Sequence, residues 1–161
     1  MVAWVSVEEA ASELATAVRG RFEAYGLGLL ATLRRDGSPR ISALQLLFAL
    51  DELWLGMMPR SLKVLDLARD GRFSLHSATT DKQATNGDAK IGGVARRIQD
   101  EATFAAFREA FAAATGSPPP DGPFELFRAD VHEISMVKPA GDHLQIDSWS
   151  ERGGIKHVDR P

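Results

Sequence analysis

The chain has 161 residues, a formal net charge of -3 and no cysteine. This length is typical of one domain with a sizeable core. The acidic balance argues against general nucleic-acid binding, and the lack of cysteine excludes disulfides, thiolate nucleophiles and iron–sulfur clusters. No apolar run approaches the length of a bilayer span and no secretory signal is visible, so a cytoplasmic protein is expected.

The first 25 residues predict a helix. Ser6 with Glu9 three residues later matches a capping box, and apolar residues then recur at helical spacing. The helix is expected to run from about Val7 to Phe22.

Residues 27–75 predict an antiparallel meander that leads into a short helix. Three apolar runs are separated by a turn at 36–39 and a tight turn at 51–52. Links of hairpin length favour antiparallel pairing. Ser61 is expected to cap the helix that follows, which continues to Ala68.

The second half predicts further strands around a second helix over residues 101–115, which ends at Gly116. The pair Gly92-Gly93 permits a bulge in one of these strands or a close approach of its backbone to a ligand. Residues 150–161 form a polar tail, either loose or lying on a partner chain. The expected strands cover residues 72–79, 89–98, 124–137 and 143–149. The whole chain is therefore read as one domain, 1–161, with six or seven strands that curl into a barrel.

The start of the short helix has the parts of a phosphate site. Arg60, Ser61 and Lys63 bring two cations and a hydroxyl to the unpaired amides of a first helical turn. A capped helix with solvated basic residues is the alternative. The position after a three-strand meander favours a phosphorylated cofactor.

Two residues of the second strand are further candidates. Arg40 either faces a ligand or is a strand-edge charge after Pro39. Gln45 interrupts an apolar run and needs a hydrogen-bond partner, either a cofactor ring or a dimer contact. The four histidines are far apart in the sequence, so no metal site is predicted.

Residues 27–75 resemble the flavin-binding split barrels of the pyridoxamine 5'-phosphate oxidase-like superfamily. The order of elements agrees over most of the chain, and the motifs are specific only in its first half. The matching pieces are Leu29–Leu33, Asp36–Arg40, Leu53–Gly56, Ser61–Val64 and Arg69–Leu75.

The resemblance implies a mainly β fold with flanking helices, a six-stranded antiparallel split barrel of the FMN-binding type, and a homodimer with the flavin between its subunits. Arg60, Ser61 and Lys63 would then hold the cofactor phosphate. Arg40 falls where the family often places a phosphate-binding arginine. By the same resemblance, the residues beside the ring system would be Gln45, Leu46, Met57 and Met58.

Two departures shape the expected function. The arginine and histidine substrate loop of vitamin B6 oxidases is absent, and Leu62 stands where those enzymes tend to have a second basic residue. We therefore expect an FMN-dependent oxidoreductase that is not a true B6 oxidase and that transfers hydride to or from a small molecule. A reductase using the deazaflavin coenzyme F-420 and a non-catalytic flavin- or haem-binding sensor remain as alternatives. Hydride transfer needs no side-chain acid or base, so no catalytic residue is named.

Overall fold

An antiparallel sheet with four flanking helices forms the fold in the computed structural model, which describes residues 1–79 and 81–161. The helices are α1 Trp4–Ala10, α2 Ser12–Glu23, α3 Leu62–Arg69 and α4 Glu101–Thr115. The strands are β1 Gly28–Leu33, β2 Pro39–Leu44, β3 Leu46–Ala49, β4 Glu52–Met57, β5 Arg72–Ser77, β6 Asp88–Arg97, β7 Glu125–Ala140, β8 His143–Ser150 and β9 Gly154–Arg160.

The strand order is β2-β1-β5-β6-β7-β4-β3, and β8 and β9 extend from β7. The strands β2 and β3 are consecutive in the chain but lie at opposite ends of this order. The sheet must therefore curl so that its two ends meet at Gln45, the residue between them. No strand pairing closes the barrel within the described ranges, which contain nine strands rather than the six expected.

The second expected strand is broken at Gln45. The almost uniformly apolar run over residues 40–48 favours one continuous strand. In the structure β2 ends at Leu44 and β3 begins at Leu46 with its side chain in the core. The turn between β3 and β4 lies at Leu50-Asp51, one residue earlier than expected, and both residues have positive φ, as in a type I′ hairpin.

The predicted bulge at Gly92-Gly93 is confirmed. The register between β6 and β7 shifts between these two glycines. A Cβ atom on Gly93 would lie 2.0 Å from the carbonyl oxygen of Asp130, so only glycine allows the two strands to approach this closely.

The prediction of one N-terminal helix was wrong. The chain forms two helices, with a break at Ala11, where φ is -149° and ψ is 55°. The first helix begins earlier than expected because Trp4 is buried against Phe48, with ring centroids 4.6 Å apart. Ser6 therefore lies inside this helix and caps nothing.

The tail after residue 150 is not loose. It forms β9, which pairs with β8 as an antiparallel hairpin. All seven residues of β9 are exposed, so its sequence carries none of the apolar alternation that identifies a half-buried strand.

The core has two parts. The larger part fills the curled sheet and includes the buried faces of α1 and α2. The smaller part packs α4 against β4 and β7 through Phe107, Trp54 and Leu126. The predicted bounds of α4 and its end at Gly116, in the left-handed conformation, are confirmed. No helix of the described chain is both long and apolar enough to cross a membrane.

Candidate functional site

A tight turn after β4 presents the first turn of α3. The amide of Ser61 donates to the carbonyl oxygen of Met58 at 3.3 Å, and Arg60 between them adopts a φ of 57°. Positive φ is uncommon for a residue with a side chain and recurs at functional sites. The turn brings Met58, Arg60 and Ser61 to one end of the helix.

Ser61 has a buried hydroxyl without a partner. Its Oγ makes no hydrogen bond with any described residue, although the backbone stands at the helix N-cap position. The expectation that this side chain caps the helix was therefore wrong. The amides of Leu62, Lys63 and Val64 also have no acceptor in the part of the chain that is described. Several donors at the helix start are thus available to one ligand.

Lys63 adds a positive charge at this end of the helix. Its Nζ donates to the carbonyl oxygen of Ala43 at 2.8 Å, and no described carboxylate forms an ion pair with it. Burial lowers the pKa of this ammonium. An anion placed here would favour the charged form of the ammonium, which burial alone disfavours.

Arg40 lies in a different set of contacts. Its Nε donates at 2.7 Å to Oδ2 of Asp66, a buried carboxylate on α3. Thr32 donates to the same oxygen at 2.9 Å, and Arg69 donates to Oδ1 at 3.2 Å. Burial would raise the pKa of Asp66, but these hydrogen bonds hold it below its usual range. The network ties α3 to β1 and β2.

The same network borders a shallow basic concavity of about 490 Å³. Arg34 and Arg35, from the turn between β1 and β2, lie there beside Arg40 and Arg69. Asp36 and Asp66 are the acidic residues of this lining. The concavity therefore carries an excess of positive charge next to α3.

A cavity of about 410 Å³ lies on the other side of the turn. It is enclosed by β3, β4, α4 and the proline-rich connector after Gly116. Four residues predicted to lie beside a cofactor ring are among its lining residues: Gln45, Leu46, Met57 and Met58.

The eight predicted site residues thus fall into three places. The helix start holds Arg60, Ser61 and Lys63, and the cavity holds the four ring-side residues. The side chain of Arg60 is exposed, so it reaches the helix start only from solvent. Arg40 stands apart, with its Nε bound to Asp66.

Asp66 and Trp54 were not predicted as parts of this region. Asp66 meets Arg40 and Thr32 across 26 and 34 residues of chain, so no local spacing signals the contact. The phenylalanines of α4 recur at helical spacing, which predicts a core face, and Phe107 is buried with an exposed fraction of 3%. The helical spacing of Phe107 and Phe111 does not indicate that both residues also border a cavity.

No cluster of three or more potential metal ligands occurs in residues 1–79 and 81–161. His157 lies within hydrogen-bond distance of Asp147, which raises the pKa of this histidine, but both are on the exposed β8–β9 hairpin.

Comparisons with known proteins agree with this architecture. The sequence profile of the family described as pyridoxamine 5'-phosphate oxidase matches residues 14–138. No curated protein matches the sequence at a significant level.

Three solved structures illustrate the similarity of fold. One is a pyridoxamine 5'-phosphate oxidase-related, FMN-binding protein from Nostoc punctiforme, with a TM-score of 0.67, 16% identity and coverage of 98% of this chain and 99% of that one. Another is PhzG from Burkholderia lata, in complex with tetrahydrophenazine-1-carboxylic acid, with a TM-score of 0.65, 19% identity and coverage of 96% and 92%. A haem-binding protein from Mycobacterium smegmatis matches with a TM-score of 0.58, 16% identity and coverage of 89% and 87%. At these identities the likeness establishes the fold alone.

Proposed function

Because the chain belongs to the pyridoxamine 5'-phosphate oxidase family, we propose that it is an FMN-dependent oxidoreductase acting on a small molecule. The FMN-binding relative from Nostoc punctiforme, similar over nearly its whole length, supports the choice of cofactor. The lack of the arginine and histidine loop noted in the sequence argues against oxidation of a B6 vitamer.

The observation that carries the proposal is the unpartnered hydroxyl of Ser61. A buried donor without an acceptor costs about 1–3 kcal/mol, so its retention calls for a ligand. A phosphate monoester offers acceptor oxygens to this hydroxyl, to the amides of the first turn and to Nζ of Lys63. Helix starts bind phosphate through this combination of amides and charge. The donor set therefore fits the phosphate of FMN.

The remaining residues would position the ring and exclude water. Leu46 and Met57 are buried side chains that border the cavity next to the helix start. Gln45 is exposed there and has no hydrogen-bond partner within the described residues, so its amide is available to a polar ring edge. When bound, the flavin supplies the hydride chemistry, and the protein supplies the binding and orientation.

The proposal includes a homodimer with the cofactor at the subunit interface. Leu29 and Ile41 have exposed fractions of 44% and 71% and border a common concavity on the outer face of β1 and β2. Leu62 and Leu65 on α3 are also more than half exposed. Leu29 and Ile41 lie on the same face of the sheet, and exposed apolar residues grouped in this way are typical of protein–protein contacts. A second copy of the chain is the partner that the resemblance implies.

A deazaflavin coenzyme is the second candidate, and one observation favours it. The basic concavity around Arg34, Arg35 and Arg69 lies along α3, close to the proposed phosphate site. A deazaflavin coenzyme has a longer tail than FMN, and these guanidinium groups would bind its further negative charges. FMN itself would not require them.

Titration with each cofactor tests the proposal. Purified protein should shift the visible absorbance of FMN, and Lys63→Ala should weaken binding by about 10- to 100-fold because a hydrogen-bonded charge is lost. Lys82→Ala removes an exposed lysine from a distant loop and should leave binding unchanged. If neither FMN nor the deazaflavin changes its spectrum, the cofactor proposal is wrong.

A further inference from the structure

The cavity beside the helix start has a lining that restricts what it can hold. Its walls combine aromatic rings and prolines with leucine and methionine side chains, and Phe107 is at the centre of the aromatic cluster. The ring centroid of Phe107 lies 6.0 Å from that of Trp54, 5.9 Å from that of Phe111 and 5.7 Å from that of Phe124. A volume of about 410 Å³ is in the usual range for small-molecule sites.

The polar groups next to the aromatic rings already have partners, and the other polar residues of the lining are Gln45 and Asp121. The indole N–H of Trp54 donates to the carbonyl oxygen of Ala49 at 2.8 Å, so it presents no donor to a ligand. The guanidinium of Arg108 lies over the ring of Phe124 at 4.8 Å and is not among the lining residues. The walls therefore offer ring faces and edges rather than hydrogen bonds.

The charge at the cavity is negative or absent. Of the lining residues described, only Asp121 is ionisable, and it is an exposed residue of the connector. No lysine, arginine or histidine borders the cavity in the described ranges. An anion that entered would lose its hydration without meeting a cation, and that loss is costly.

From these observations we propose that the cavity binds the ring of a flat, uncharged aromatic substrate and excludes anionic analogues. This inference deepens the proposed function, because it places the substrate class beside the ring-side residues of the cofactor site. Stacking against Phe107 and Phe111 would orient its ring.

Two naphthalene ligands of equal shape test the inference. One is 2-acetonaphthone, which is neutral, and the other is 2-naphthoate, which differs chiefly in its negative charge. Equilibrium dialysis against flavin-free and FMN-loaded protein measures both affinities. We expect the ketone to bind at least about tenfold more tightly than the carboxylate. Equal affinities, a preference for the carboxylate, or no binding of either ligand would overturn the inference.

Variants locate the preference in the cavity. Phe111→Arg introduces a cation in the wall and should reverse or abolish the preference for the ketone. Asp121→Lys changes an exposed residue at the edge without disturbing the core, and it should raise the affinity for the carboxylate. Ala105→Arg adds the same charge at an exposed position of α4 that does not border the cavity, and it should keep the preference. An unchanged preference in both cavity variants would contradict the assignment.

The outcomes separate this inference from the flavin proposal. If the protein binds the ketone selectively but does not bind FMN, the inference about the cavity is supported and the flavin proposal is wrong. If the protein binds FMN but neither naphthalene ligand, the flavin proposal is supported and the inference about the cavity is wrong.

Discussion

Nε of Arg40 on β2 donates a 2.7 Å hydrogen bond to the buried carboxylate of Asp66 on α3. This contact joins the helix that begins at the proposed phosphate site to the strand beside it. Thr32 and Arg69 complete the hydrogen bonding of the same carboxylate. Asp66 therefore fixes the position of α3 on the sheet. Arg40 stabilises this contact by its hydrogen bond to Asp66, with or without a bound ligand.

We expect Asp66→Asn to lower the free energy of unfolding by about 2 kcal/mol or more, because charge-assisted hydrogen bonds are lost in a buried place. Chemical denaturation near neutral pH measures the change. Asp70→Asn is the matched control, because Asp70 pairs with Arg72 in an exposed position, where ion pairs contribute little. Equal losses in the two variants would show that Asp66 has no special structural role.

The same network predicts a dependence on pH. Because the folded-state pKa of Asp66 is depressed, its contribution is present in full above the ordinary carboxyl pKa of about 3.9. It is lost as the pH falls through the lower folded-state value. The stability difference between wild type and Asp66→Asn should therefore shrink as the solution is acidified below that range. A difference that stays constant with pH would argue against an ionised Asp66 in the folded protein.

Ser61→Ala should have opposite effects on stability and on binding. Removing a buried hydroxyl without a partner should raise the stability of the flavin-free protein by about 1 kcal/mol. The same change should weaken FMN binding about tenfold, because one donor to the phosphate is lost. Thermal unfolding without cofactor and a fluorescence titration with FMN measure the two effects. A loss of stability with unchanged affinity would mean that the hydroxyl is structural.

Gly93→Ala should destabilise the protein by about 3 kcal/mol, since the new Cβ atom would overlap the carbonyl oxygen of Asp130 and force the β6–β7 bulge apart. Gly20→Ala is the control. Gly20 lies exposed on α2, and a Cβ atom added there would have no atom within 4 Å beyond its chain neighbours and its own helix backbone. Alanine should therefore stabilise the helix by about 0.5–1 kcal/mol. Denaturant titration of both variants compares them. A mild effect at Gly93 would show that the strands separate readily.

Ile41→Asp should convert the proposed dimer into a monomer, because it places a charge in the exposed apolar face of β1 and β2. Ile155→Asp makes the same change at a residue of similar exposure on β9 and should leave the assembly intact. Light scattering after gel filtration gives the mass of each variant. A monomeric wild type, or a dimer that survives Ile41→Asp, would contradict this placement of the interface.

Sequence patterns identified the local features of the fold and missed the distant ones. The helix α4 and its glycine end were predictable because they depend on neighbours in the chain. The bulge involves a second strand, but the glycine pair at 92–93 is itself a local signal for it. The break at Ala11 was not, because it depends on where Trp4 packs against the sheet. The strand β9 was missed because neither of its faces is buried.

The candidate site shows the same division. The order of residues after β4 predicted that Ser61 and Lys63 lie at the start of a helix. In the structure this helix begins at Leu62. The contact of Arg40 with Asp66 was not predicted, because the sequence of a short helix does not show that one of its carboxylates is buried. The unpartnered state of the Ser61 hydroxyl is likewise a property of packing and could not be inferred from serine at a cap position.

The central claim is that the start of α3 binds the phosphate of a flavin, and comparing FMN with riboflavin tests it most directly. The two ligands share the ring and differ in the phosphate alone. We expect FMN to bind at least about a hundredfold more tightly than riboflavin, with most of that difference lost in the double variant of Ser61→Ala and Lys63→Ala. Equal affinities for FMN and riboflavin in the wild-type protein would contradict the account.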